Sequence, residues 1–152
     1  MNLNDLLIHE SFDPETVLIL RHRPQEPEFR KVFPWLAAEN PTVFNAYQQT
    51  QSNATVERAM RSAGHVAAFI GHEPGKALFA GLYQVAGYEE LTHQQYWDHP
   101  LKAELRRLGH SGATEEERPA ILWFDLQLTD VYARWKGKLV VGWPPPERSW
   151  WR

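Results

Sequence analysis

The stretch "HVAAFIGHEPGKALFAGLYQVAGYEEL", residues 65–91, decides the fold. Its opening run, 65–71, is almost wholly apolar, with Val66, Phe69 and Ile70 supplying β-branched and aromatic bulk, which suits a buried strand. Pro74 and Gly75 then fall side by side, a turn signal. A second and longer apolar run follows, so the spacing predicts a β-hairpin. Gly81 and Gly87 inside that run predict a bulge or sharp bend, as strands carry where a small barrel closes.

Outward from this hairpin the signals alternate. Towards the N-terminus, "NATVERAMRSAG" (53–64) predicts a helix capped by Asn53 and closed by Gly64. "NPTVFNAYQQTQ" (40–51) predicts another, with Asn40 as cap, Pro41 in the first turn, and Phe44, Tyr47 and Gln51 on one face. "EFRKVFPWLAAEN" (28–40) reads as helix broken by Pro34. "ETVLILRHRP" (15–24) reads as a strand, and "NLNDLLIHE" (2–10) as a short amphipathic helix. Towards the C-terminus, "THQQYWDHPLKAELRRLG" (92–109) predicts a helical insertion interrupted at His99-Pro100. An acidic loop (110–119) precedes a strand in "AILWFDLQLTD" (120–130). "VYARWKGKLVVGWP" (131–144) predicts a last strand with a bend at Lys136-Gly137-Lys138. Strands joined by short turns favour antiparallel pairing. The expectation is α+β: a small, curved or closed, mostly antiparallel β-barrel flanked by helices, in one domain over 1–152.

Composition narrows the function classes. The chain has 152 residues, 43% hydrophobic and 23% charged, as an ordinary globular domain has. No apolar run is long enough to cross a membrane, and the acidic N-terminal segment has no secretory n-region. Cysteine is absent, which excludes disulfides and thiolate metal sites and fits a cytoplasmic setting. The seven histidines form no zinc-type spacing, no serine sits in a nucleophile elbow, and no Gly-rich loop leads to Lys-Ser/Thr. We therefore expect no metal, no cofactor and no catalytic residue in this chain.

Two features remain. Tryptophan is abundant, at seven. The net charge is −3, yet bases outnumber acids over 16–31 and over 125–152. Aromatic faces stack on nucleobases, and amide or carboxylate side chains read base edges. The base-pocket candidates are Tyr47, Gln48, Tyr83, Trp97, Trp123, Asp125 and Trp143; Trp123 and Phe124 alternate along a strand, so one of them faces the core. The backbone-contact candidates are Arg21, Arg23, Lys76, Arg134, Lys136, Lys138 and Arg148.

The hairpin, the "YQQTQ" helix (47–51) and the closing "GKLVVGWPPPERSWWR" (137–152) together resemble the PUA-like β-barrel domains, a group that includes EVE, ASCH, YTH and SRA modules. More narrowly they are similar to the N-terminal domain of bacterial proteins that carry a GIY-YIG nuclease domain afterwards. The chain's own "FIG" (69–71) and "GLY" (81–83) stand in the opposite order to that nuclease's core pair. The resemblance implies a reader that takes a modified or flipped base of double-stranded DNA into an aromatic pocket and targets an attached nuclease, in restriction or phage defence. It is compatible with a homodimer and implies that the chain is the first part of a longer protein, its Trp-rich tail folding back on the barrel. Two other readings stay open. One is a nucleoside amidohydrolase of ASCH type, with Asp125, Glu89 or Lys76 as general base. The other is a protein-interaction module docking through its Pro-rich tail and tryptophans.

Overall fold

A computed structural model describes residues 8–9, 11–51, 53–112 and 120–142. The strands are β1 (Val17–His22), β2 (His65–Glu73), β3 (Lys76–Leu91), β4 (Ile121–Leu128) and β5 (Val140–Gly142). The helices are α1 (Pro27–Glu39), α2 (Pro41–Gln48), α3 (Ala54–Ser62), α4 (His93–Asp98) and α5 (Pro100–Arg107). The chain is thus α+β, with one five-stranded mixed sheet ordered β1-β2-β3-β4 and β5 paired to β3.

The β2–β3 hairpin forms as its sequence predicts. Its strands pair antiparallel, and Gly75 takes the left-handed turn position at φ 73°. The register slips between Ala68 and Phe69, opposite Gly81. Gly81 has φ +142°, and a Cβ there would lie 2.8 Å from Leu128 Cδ1 and 3.2 Å from the Tyr83 ring. Both the backbone angle and the close approach require glycine. Gly87 has open space and no such constraint.

Four expectations are corrected. The sheet is mixed and is not closed among the described residues: β1 runs parallel to β2, while β2–β3 and β3–β5 pair antiparallel, and the strand path ends at β1 and β4. The long connection from His22 to His65 is the reason, because a crossover carrying three helices returns the chain in the same direction. Secondly, Pro34 does not break α1, which runs unbroken through it. Phe29, Phe33, Leu36 and Ala37 bury one face of the helix on both sides of the proline, and that burial outweighs one lost backbone hydrogen bond. Thirdly, 131–139 is not a strand. Tyr132 is left-handed at φ 59°, Ala133–Trp135 is a 3-10 turn, and Tyr132 stacks on Trp135 at 5.2 Å. Gln51 likewise lies beyond the end of α2, where its Nε2 donates to the Gln48 carbonyl at 2.7 Å. The N-terminal helix is seen only at residues 8–9, and residues 113–119 of the acidic loop and the Trp-rich tail lie outside the described residues.

The chain forms two compact units. One gathers 1–23, 62–85 and 127–152. Its core is Val17, Ala67, Phe69, Ala77, Phe79, Leu82 and Tyr132, with Phe12, Trp135 and Leu139 packed against it. The other gathers 24–61 and 86–126, and so holds nearly all the helices. In it Phe33 meets Phe44 at 5.2 Å and Tyr47 at 4.7 Å, joining α1 to α2. The end of α2 docks on β4: Phe124 N–H donates to the Gln49 carbonyl at 2.8 Å, and Asn45 Nδ2 to the Leu126 carbonyl at 2.7 Å. β3 and β4 contribute residues to both units.

Candidate functional site

The helical unit brings two of the predicted tryptophans to one pair of helices. α4 starts in a capping box: Thr92 Oγ1 accepts from Gln95 N–H, and Gln95 Oε1 accepts from Thr92 N–H. That fixes which side chains of a short helix point inward. Tyr96 is buried and donates its hydroxyl to the Gly112 carbonyl at 3.1 Å. Trp97, one residue on, is 50% exposed.

His99 ends α4 and caps α5, its Nδ1 accepting from Leu101 N–H at 3.2 Å. An accepting Nδ1 places the neutral ring's proton on Nε2. The ring stacks on Trp123 at 4.1 Å and 20°. Burial, and then the charge of Lys102, lower the His99 pKa, so it stays neutral near pH 7.

Lys102 lies one turn into α5 on the same face as Leu105, and it is only 2% exposed. Its Nζ donates to the Ala46 carbonyl at 2.7 Å, in the last turn of α2. A cation there complements the helix dipole. The rings of Tyr96 and Trp123 flank it, centroids 5.4 and 5.5 Å away. Among the described residues no carboxylate comes within 4.0 Å of it. Burial, and next the charge of Arg106, push the Lys102 pKa down to about 7. Arg106 lies over Trp97, its guanidinium carbon 4.2 Å from the ring centroid. One Arg106 nitrogen, Nη2, donates to the Trp97 carbonyl; the other, Nη1, is buried with no hydrogen-bond partner among the described residues.

A second cluster in the same unit ties the loop after α5 to the start of α1. Ser111 N–H donates to Glu26 Oε1 at 2.9 Å, and His110 Nδ1 lies 3.3 Å from the same oxygen. Burial acts to raise the Glu26 pKa, but the hydrogen bonds from Ser111 and the charge of His110 outweigh it and hold it at about 2. Tyr47 belongs here. It sits 5.7 Å from Phe29 and 5.1 Å from His110, and burial lifts its hydroxyl to about 12.

The predicted residues are therefore distributed as follows. Trp97 and Trp123 meet the α4–α5 cluster, and Phe124, next to Trp123, is the core residue of that pair. Tyr47 is part of the aromatic packing between α1 and α2. Gln48 is fully buried, with its Nε2 donating to Asn45 Oδ1 at 3.0 Å. Asp125 is exposed on β4, as Glu89 is on β3. Tyr83 is buried in the other unit. Trp143 and Arg148 lie outside the described residues.

All the described backbone-contact candidates belong to the unit that holds β1 and β2. Arg21 folds its guanidinium over Gly71, where a Cβ would lie 2.6 Å from Nε. Arg23 is exposed. Lys76 pairs with Glu73 at 3.3 Å, and Arg134 lies over Trp135 at 4.5 Å. Gly137 N–H donates to the Phe79 carbonyl, and Phe79 N–H to the Leu139 carbonyl. Those two bonds place the turn that carries Lys136 and Lys138 beside Phe79 of β3, the strand that begins with Lys76 and pairs with β5.

Lys102, Arg106 and His99 were not among the sequence candidates. The signal was the spacing in "PLKAELRRL" (100–108): Leu101, Leu105 and Leu108 mark an inward stripe, and Lys102 stands three residues before Leu105 on its flank. No helix among the described residues is long and apolar enough to cross a membrane, and no group of three metal-ligating side chains is found among them. No family model, curated protein or solved structure matches the chain.

Proposed function

We propose that the chain is a nucleic-acid-binding module that takes an unstacked base onto the Trp97 and Trp123 surface of its helical unit. The observation that carries this reading is Trp97: a half-exposed indole with a guanidinium over it, 4.2 Å from the ring centroid. Exposed tryptophan leaves a large apolar face in water, and a cation–π partner already orients the ring. A base has a face of matching size and polarisability, and it stacks without needing a particular edge pattern. The half-buried Trp123, stacked on a neutral His99, is a second flat surface in the same unit.

The resemblance to PUA-like readers supports a flipped base, modified and within duplex DNA, as the natural ligand. Lys76, Lys136 and Lys138 of the sheet unit are the proposed contacts to backbone phosphates.

The test is fluorescence-polarisation binding to duplexes carrying cytosine, 5-methylcytosine, 5-hydroxymethylcytosine or a modified adenine at one position, beside a single strand. Selective tightening for one ligand is expected. Trp97→Ala is expected to weaken that ligand by about 5- to 150-fold, the loss of one base stack. Equal, weak binding across the set, unchanged in Trp97→Ala, would sink the reading.

A further inference from the structure

We propose that Lys102 and Arg106 together form an anion site, and that its natural occupant is a phosphate group carried by the nucleotide whose base stacks on the neighbouring tryptophans. The last clause rests on the base-binding reading; the anion site does not.

The two cations stand four residues apart on α5, so they share a face one turn apart. Each already holds one backbone carbonyl: Lys102 that of Ala46, Arg106 that of Trp97. A lysine ammonium has three donors and a guanidinium has five. Arg106 Nη1 is buried with no hydrogen bond among the described residues. Neither cation has a carboxylate within ion-pairing distance among them. A buried charge without a counter-charge is costly, and for Lys102 the half-buried charge of Arg106 one turn on adds to that cost. Carbonyl dipoles and ring faces offset part of it, but they leave Arg106 Nη1 without an acceptor among the described residues. A tetrahedral oxyanion supplies several acceptors and the missing negative charge in one group. Guanidinium matches it in two-point geometry and ammonium as a point charge.

The surroundings favour phosphate over an isolated carboxylate. Tyr96, Trp97 and Trp123 place ring faces beside the cations, which is the arrangement a nucleotide needs: a flat partner for its base and a cationic one for its phosphate. The lowered Lys102 pKa agrees with this reading. The amine is short of a partner that would hold its proton, and an arriving anion would restore it. Anion binding above neutral pH should therefore take up a proton.

The competing source of negative charge is the chain's own Glu115, Glu116 and Glu117. The experiment separates the two. Calorimetric titration of the full chain with inorganic phosphate is run near pH 8, against sodium chloride at equal ionic strength. Wild type should bind phosphate and take up a proton, read from the dependence of the heat on buffer ionisation. Lys102→Met and Arg106→Gln, each checked for folding by circular dichroism, should bind about tenfold more weakly or worse. Phosphate binding no stronger than chloride's would overturn the site. So would binding that appears only in a Glu115→Gln, Glu116→Gln, Glu117→Gln triple variant, because the chain's own acids would then be the counter-charge. A further arm compares 5′-phosphorylated and unphosphorylated single strands of one sequence, and a nucleoside with its 5′-monophosphate. If phosphate binds but no nucleotide binds better than phosphate, the anion site stands and the base-binding reading fails.

Discussion

Lys102 shows how one side chain can tie stability to function. Its pKa falls to about 7 in the folded chain from an ordinary value of 10.5, first because it is buried and then because Arg106 is near. Below about pH 7 the amine is charged in both the folded and the unfolded chain, so folding bears the full cost of burying it. Between pH 7 and 10.5 the unfolded chain binds more protons than the folded one, so this group's contribution makes stability rise with pH. Lys102→Met removes the cost and nearly keeps the volume. In phosphate-free buffer the variant should be as stable as wild type or more so at pH 6. Its advantage should shrink steadily towards pH 10 in urea titrations. A stability difference that is flat with pH would mean that the lysine is not buried as a charge. Its role was hard to read from the sequence because a lysine in a charged helix reads as a solvated one. Only its place beside Leu105 on the inward stripe marked it out. Trp97 and Trp123 were legible because large aromatics carry their chemistry wherever they are placed.

At the scale of the element, local signals were legible wherever a cap or turn decided the outcome. Asn40 and Asn53 cap α2 and α3 as their sequences predict, and the β2–β3 turn is where Pro74 and Gly75 put it. Asn53 Oδ1 accepts from Thr55 N–H at 2.8 Å and Val56 N–H at 3.2 Å. Asn53→Ala should therefore cost about 1 kcal/mol, read as a lower urea midpoint with an unchanged slope. No change in midpoint would show that α3 is held by the burial of Met60 alone. The misreadings came where distant contacts outweighed local preference. Pro34 is tolerated because Phe29, Phe33, Leu36 and Ala37 anchor α1 on both sides of it. Tyr132 adopts an unfavourable left-handed conformation where its ring stacks on Trp135. β1 turns parallel because three helices intervene before its partner, a relation that no window of neighbouring residues contains.

For the whole molecule the net charge of −3 argues against tight non-specific binding. The distribution of charge says more than its sum. Lys76 starts β3 in the sheet unit, Lys136 and Lys138 lie in the turn that is held to Phe79 of β3, and Arg134 lies in the same turn. The acids over 110–119 belong to a different stretch of chain, and this separation was visible in the sequence as local runs of charge. If these lysines touch backbone phosphates, each contact releases counterions. The logarithm of affinity should then fall linearly with the logarithm of salt concentration. The combined Lys76→Gln, Lys136→Gln, Lys138→Gln variant should weaken binding equally for every ligand and make the slope shallower by about 3. Trp97→Ala should do the reverse, keeping the slope while erasing the preference among modified bases. An unchanged slope in the lysine variant would leave these lysines as an ordinary solvated surface. Affinity would then have to come from the α4–α5 cluster, whose two cations should give a slope near 2 that Lys102→Met lowers by about 1.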